Sequence, residues 1–196
     1  MGTLLQSVPG LAQCVGDHHL VTEQVADIDS KDMGWTQWRA LAQRALHYLS
    51  QPDFGAVLVT HGSDTLEETA YFLSCVLPAS VLANKPLVLT CAMRPASSLA
   101  PDGPQNLRDA VRVACAPGAS GVLVVCAGTV HAAQAIQKVH PYRLDAFDSG
   151  DAGPLAYVEE GMVRWLHSCP VVGADVGPAT LATFPGERVM VLGDMR

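Results

Sequence analysis

The amino-acid sequence predicts an α/β domain built as a doubly wound, mainly parallel sheet with helices on both faces. Three apolar runs without polar alternation, 56–60 (AVLVT), 86–91 (PLVLTC) and 121–126 (GVLVVC), read as strands covered on both sides. The segments between them, 64–77 (DTLEETAYFLSCVL) and 104–115 (PQNLRDAVRVAC), carry apolar residues at helical spacing. Strand, helix, strand, helix, strand is the pattern of a parallel layer whose crossovers are helices.

The elements follow in order. In 35–49 (WTQWRALAQRALHYL), Trp38, Leu41, Ala45, Leu46 and Leu49 recur at intervals of three and four and form one apolar helical face. The strand 56–60 leads into a helix for which Asp64 or Thr65 can serve as N-cap, with Glu67 and Glu68 favourable in the first turn. A strand at 86–91, a helix at 104–115 and a strand at 121–126 complete the layer. A polar region with Gly150, Gly153 and Pro154 follows, and 155–166 (LAYVEEGMVRWL) places two short apolar runs around Glu-Glu-Gly, which reads as a β-hairpin near the C-terminus. Residues 169–187 are rich in Pro and Gly and read as a linker, and 188–193 (RVMVLG) as one more strand. The expected organisation is a domain over 1–168 and, over 169–196, a linker with the first strand of a second domain.

Composition narrows the function classes. With 196 residues, 49% hydrophobic and 16% charged, the chain can bury a substantial core. A net charge of -7 with no basic cluster excludes a nucleic-acid or anionic-membrane surface and favours a small-molecule partner. No run approaches the ~18 apolar residues of a membrane span, and the N-terminus lacks the basic and apolar regions of a secretory signal, so a cytoplasmic location is expected. The six cysteines are dispersed without a Cys-x-x-Cys pair, and His18, His19, His131 and His140 lack a third ligand at suitable spacing. Neither metal nor cofactor is expected.

The chemistry concentrates where the first of these strands ends. In 57–73 (VLVTHGSDTLEETAYFL) a buried strand runs directly into a His, hydroxyls and carboxylates. In open α/β sheets, ligands bind beyond the carboxyl ends of strands, where loops meet helix N-termini. Gly62 permits a tight turn there, so that Ser63 and Asp64 can face a ligand while the helix N-terminus supplies backbone N–H donors. The competing reading is that Ser63, Asp64 and Thr65 only cap the helix. A second overlong connection at the same edge carries Arg94, Ser97, Ser98 and Asp102. Lys138 follows the third strand and can reach Asp64 if its loop folds back over the sheet; a solvated surface lysine is the alternative.

Together, THGSDTLEETAYFL (60–73) and LTCAMRPASSLAPDGPQNLRDAV (89–111) resemble the paired signatures of the bacterial-type L-asparaginase/glutaminase family, over about residues 4–170. The resemblance implies a flavodoxin-like fold and hydrolysis of L-asparagine, with L-glutamine as a second amide, without a cofactor. IDSKDM (28–33) is similar to the segment holding the substrate α-carboxylate, which implies Ser30 and Lys31 as substrate contacts, with Lys31 where a Gln or Ser is usual. HGSDT resembles the family's His-Gly-Thr-Asp-Thr, which implies Gly62, Ser63 and Asp64 at the substrate, and AIQKVH is similar to the segment bearing the family's Lys, implying Lys138. A catalytic set Ser63, Asp64 and Lys138 follows, in which Lys138 assists removal of a proton from the Ser63 hydroxyl or from a water. The family's Gly-Gly-Thr-Ile segment with its nucleophile, and its C-terminal domain, have no counterpart here. An impaired enzyme is therefore expected, or alternatively an inactive fragment that at most binds a small amino acid. The family's dimers and tetramers imply a homo-oligomer, and loss of the first strand implies an exposed sheet edge.

Overall fold

The computed structural model describes residues 8–16 and 18–170. Its helices are α1 (Leu11–Val15), α2 (Trp35–Leu49), α3 (Leu66–Val76), α4 (Ala79–Leu82) and α5 (Gly103–Ala114). Its strands are β1 (Val57–Thr60), β2 (Leu87–Thr90), β3 (Val122–Cys126), β4 (Thr129–Ala132), β5 (Gln137–Lys138), β6 (Phe147–Asp148), β7 (Ala156–Glu159) and β8 (Met162–Trp165). The main sheet has the order β1-β2-β3-β4-β7-β8, and β5 pairs with β6 apart from it. β1, β2 and β3 run parallel; β4, β7 and β8 add to them antiparallel.

Strand side chains alternate between faces, and each face finds a helical cover. Leu87, Leu89, Val122 and Val124 pack with Leu41, Ala45 and Leu49 of α2 and Leu66, Ala70 and Leu73 of α3. Val88, Leu123 and Val125 pack on the other face with Ala110 and Val113 of α5, and Leu107 and Val111 extend that layer to Leu11 and Val15 of α1. Each fully buried Leu or Val contributes about 1.5–3 kcal/mol of transfer free energy, so this two-sided layer supplies most of the drive to fold. The α/β architecture with helices on both faces is the expected one, and residues 156–165 form the expected hairpin.

Two elements differ from the expectation. Residues 129–132 form a buried strand, β4, inside the region read as polar. The β3–β4 connection is a two-residue turn, Ala127–Gly128, with both φ positive (49° and 74°), a geometry matched to strand twist but not announced by Ala. Glu160–Gly161 makes the same kind of turn between β7 and β8. The second difference is β1, read as buried on both faces. Val57, Leu58 and Val59 are only half-buried and Thr60 is exposed, because β2 is the only strand paired with β1 among the described residues. Val57 N–H donates to Pro86 O and His61 N–H to Thr90 O, so the main-chain groups of Leu58 and Thr60 point to the opposite, unpaired edge. Along that edge runs a cleft of about 1030 Å³, bordered by α2, α5 and the segment from His18 to Ile28. The expected strand at 188–193 and the linker beyond Pro170 lie outside the described residues.

Candidate functional site

At the carboxyl edge of β1 the chain turns through His61–Thr65 before α3 begins at Leu66. A 3₁₀ turn, Ser30–Asp32, is knitted to it from more than thirty residues away. Asp64 N–H donates to Ser30 Oγ (3.2 Å) and Thr65 Oγ1 donates to Ser30 O (2.7 Å). Ser30 is buried, and its hydroxyl, having accepted from Asp64, keeps its own proton to donate. Gly62 lies against this residue so closely that a Cβ there would sit 2.4 Å from Ser30 Oγ and 2.6 Å from Ser30 Cβ. Close approach, and not a left-handed backbone, is what requires glycine here, since Gly62 is absent from the positive-φ glycines. Thr65, one of the two expected candidates, is the N-cap of α3, but it makes no side-chain cap bond.

Lys138 reaches the turn from β5, whose neighbours Ile136 and Phe147 pack with α2 and α3. Its backbone N–H donates to the Glu67 carboxylate on the first turn of α3, which fixes the short strand β5 above the helix. From there its ammonium donates to Ser63 Oγ at 2.9 Å and to Asp64 Oδ1 at 2.7 Å. The Lys138 side chain is 17% exposed and that of Asp64 54%. A half-exposed ion pair of this kind contributes only about 0.2–1 kcal/mol to stability. Its consequence is positional: a cation is held against a hydroxyl at the rim of the sheet. Glu68, next to Glu67, has its carboxyl pushed above the usual range, first by burial and then by the neighbouring carboxylate.

Five of the six residues singled out in the sequence thus converge: Ser30, Gly62, Ser63, Asp64 and Lys138. Lys31 does not join them. Its ammonium is held by Asp29 (2.7 Å) and Asp32 (3.1 Å), whose hydrogen bonds raise its pKa, on a largely exposed surface. The overlong loop is also bound into the scaffold. Asp102 accepts from the backbone N–H groups of Met93 and Arg94 (both 2.9 Å), and buried Asn106 donates to Cys91 O and accepts from Ala127 N–H. Among the described residues no group of three or more His, Cys, Asp and Glu is arranged to hold a metal ion. Buried His131 on β4 instead bonds Ser149 Oγ at 2.7 Å. The roles of Glu67, Thr69, Trp38 and Asn106 around the site were not legible in the sequence, where they read as ordinary helix residues. An acidic residue at the first turn of α3 was the one available signal, and it pointed to helix electrostatics.

The cleft beside β1 reaches this site from below, since Ser30, His61 and Gly62 line it while Ser63, Asp64 and Lys138 do not. The apolar cleft and the polar constellation are therefore adjacent features, and the chemistry resides in the second.

Comparisons with known proteins agree with the fold. The family model "Asparaginase, N-terminal" matches residues 2–170. "L-asparaginase 2" of Escherichia coli is 37% identical over 167 residues, which are 84% of this chain and 45% of that protein. "Probable L-asparaginase" of Deinococcus radiodurans is 45% identical over 121 residues, 60% of this chain and 36% of that protein. The crystal structure of a probable cytoplasmic L-asparaginase from Campylobacter jejuni superposes with a TM-score of 0.78 at 34% identity, over 87% of this chain and 52% of that one. The chain spans about half the length of the relatives it matches, or less. It belongs to the asparaginase family, through that family's N-terminal domain.

Proposed function

We propose that this chain carries part of the active site of an L-asparaginase-type amidohydrolase, with residues 1–168 as its N-terminal domain and 169–196 leading into a second. The observation that carries the reading is the Lys138 ammonium set between Ser63 Oγ and Asp64 Oδ1. L-asparagine is the substrate, and L-glutamine the alternative amide. The Ser30 hydroxyl donates to the α-carboxylate, and the free Asp64 oxygen takes the α-ammonium. In its neutral form Lys138 accepts the proton of Ser63 or of a water as that oxygen attacks the amide carbon and returns it to the nitrogen, which leaves as ammonia; where Ser63 attacks, water then hydrolyses the ester and frees the hydroxyl. As an ammonium it instead stabilises negative charge developing on Ser63 Oγ. Lys31, engaged by two carboxylates, has the weaker claim to a substrate contact.

For the 196-residue chain taken alone, asparagine turnover is expected several orders of magnitude below that of a full-length relative, since it spans about half that relative's length. The second reading, a chain that only binds a small amino acid, is favoured by the modest set of groups at hand: one hydroxyl, one carboxylate and one lysine. Calorimetric titration with L-aspartate should show binding in roughly the millimolar range, abolished in Asp64→Ala. Ammonia release that disappears in Ser63→Ala and Lys138→Met supports the enzyme; binding without release supports the second reading. No binding to the parent chain, or equal binding by Asp64→Ala, refutes the site.

A further inference from the structure

Beneath the Ser63 turn three side chains form a continuous hydrogen-bonded line that the amide chemistry does not use. Trp38 Nε1 on α2 lies 2.8 Å from Thr69 Oγ1 on α3, Thr69 Oγ1 lies 3.1 Å from His61 Nε2, and His61 Nδ1 lies 2.7 Å from Gly62 O. The direction of this line is forced by its ends. An indole N–H only donates, and a backbone carbonyl only accepts. Thr69 Oγ1 must then accept from Trp38 and turn its own proton to His61 Nε2. That nitrogen must be unprotonated, which puts the single ring proton on Nδ1, pointing at the Gly62 carbonyl. Every polar atom in the line is satisfied in this arrangement and in no other with a neutral ring.

We infer that Trp38, Thr69 and His61 are the positioning residues of the Ser63–Asp64 turn, acting as a one-way relay that locks the His61 tautomer and, through it, the Gly62–Ser63 peptide plane. The inference rests on the reading of Ser63 and Asp64 as the site proposed above.

The surroundings suit such a lock. Thr69 is completely buried, and Trp38 stacks on Phe72 with ring centroids 5.8 Å apart and an interplanar angle of 27°, so the donor end of the line is immobilised by packing. Burial lowers the His61 pKa, against the opposing pull of the Gly62 bond, which favours the neutral ring the relay needs. A second proton on the ring would place a donor at Nε2 and oblige the Thr69 hydroxyl to rotate and accept from it, which removes the direction of the line. At the other end, the Gly62 carbonyl is the acceptor half of the peptide whose N–H belongs to Ser63. Turning that plane would shift the Ser63 side chain relative to Lys138 and the Asp64 N–H relative to Ser30.

The test is imidazole ¹⁵N spectroscopy on the full chain at neutral pH, combined with L-aspartate titration. The parent protein should show His61 with Nδ1 protonated and Nε2 unprotonated. Thr69→Val, which leaves Nε2 without its donor, should shift the Nε2 resonance and the Ser63 and Asp64 amide resonances, and weaken L-aspartate about five- to tenfold, the worth of one hydrogen bond. Thr69→Ser, which keeps the hydroxyl, should restore all three. Trp38→Phe should shift the His61 ring signals, although its indole is bonded to Thr69 and not to the imidazole. An Nε2–H tautomer in the parent protein overturns the relay, as do Nε2 and Ser63 resonances that stay unchanged in Thr69→Val or are not restored in Thr69→Ser. A correct tautomer in a chain that binds no L-aspartate leaves the relay standing and rejects the amino-acid site instead.

Discussion

Gly62 is the residue on which the site most narrowly depends. It has room for a hydrogen and no more, because Ser30 occupies the space a Cβ would need. Gly62→Ala therefore has to push apart two segments that the bonds from Asp64 and Thr65 to Ser30 hold together. A loss of about 1–3 kcal/mol of stability is expected, as for an overpacked core. A urea midpoint unchanged from the parent protein would show that the Ser30 turn yields without cost. The glycine was recognised in the sequence as a turn residue, but for the wrong reason. Tight turns select glycine for its backbone freedom, whereas here the constraint comes from a segment more than thirty positions earlier, which local pattern cannot reveal.

Among the elements, β4 links the parallel half of the sheet to the antiparallel half, and it does so with a histidine in its middle. His131 is 3% exposed, and burial holds its pKa down to about 4 from 6.5, with Asp148 pulling weakly the other way. The native ring stays neutral while the unfolded chain takes up a proton, so the sign is settled: its contribution is complete above about pH 6.5 and is lost as pH falls toward 4. The full difference is on the order of 3 kcal/mol. Urea midpoints should therefore drop between pH 7 and pH 5, and the drop should be shallower in His131→Gln, although that variant starts from a lower stability. Equal slopes in the two proteins would rule out His131 as the source. β4 escaped sequence reading because Ala127 occupies a positive-φ turn position, and because a strand of four residues containing Thr and His looks polar until its neighbours β3 and β7 cover it.

At the scale of the whole molecule, β1 and the cleft beside it dominate. The strand is apolar, and among the described residues its far edge has no paired strand, which is the arrangement that recruits another strand. We expect the 196-residue chain to self-associate in a concentration-dependent way, most simply as a dimer, and Thr60→Lys, which puts a charge at the exposed end of that edge, to weaken the association without loss of helix content. Light scattering that showed a monodisperse monomer at high concentration, or a robust tetramer insensitive to Thr60→Lys, would contradict this.

The sequence by itself determined the two-sided α/β layer, because apolar periodicity is a local property written into each segment, and it marked Gly62, Ser63 and Asp64 because they sit where a strand must end and a helix must begin. It marked Ser30 only through resemblance to a family, and Lys138 as a residue that could reach Asp64 if its loop folded back, a reading the resemblance strengthened. Only the tertiary structure decided that Lys138 reaches Ser63 across 75 positions, that Lys31 is engaged by Asp29 and Asp32, that the long loop is clamped by Asp102 and Asn106, and that Trp38 and Thr69 stand behind His61. The physical reason is the range of the interactions involved. Helix and strand periods are set within a few residues by backbone geometry, whereas hydrogen bonds and ion pairs select partners by distance in space, which becomes defined only when the layer has closed around its core.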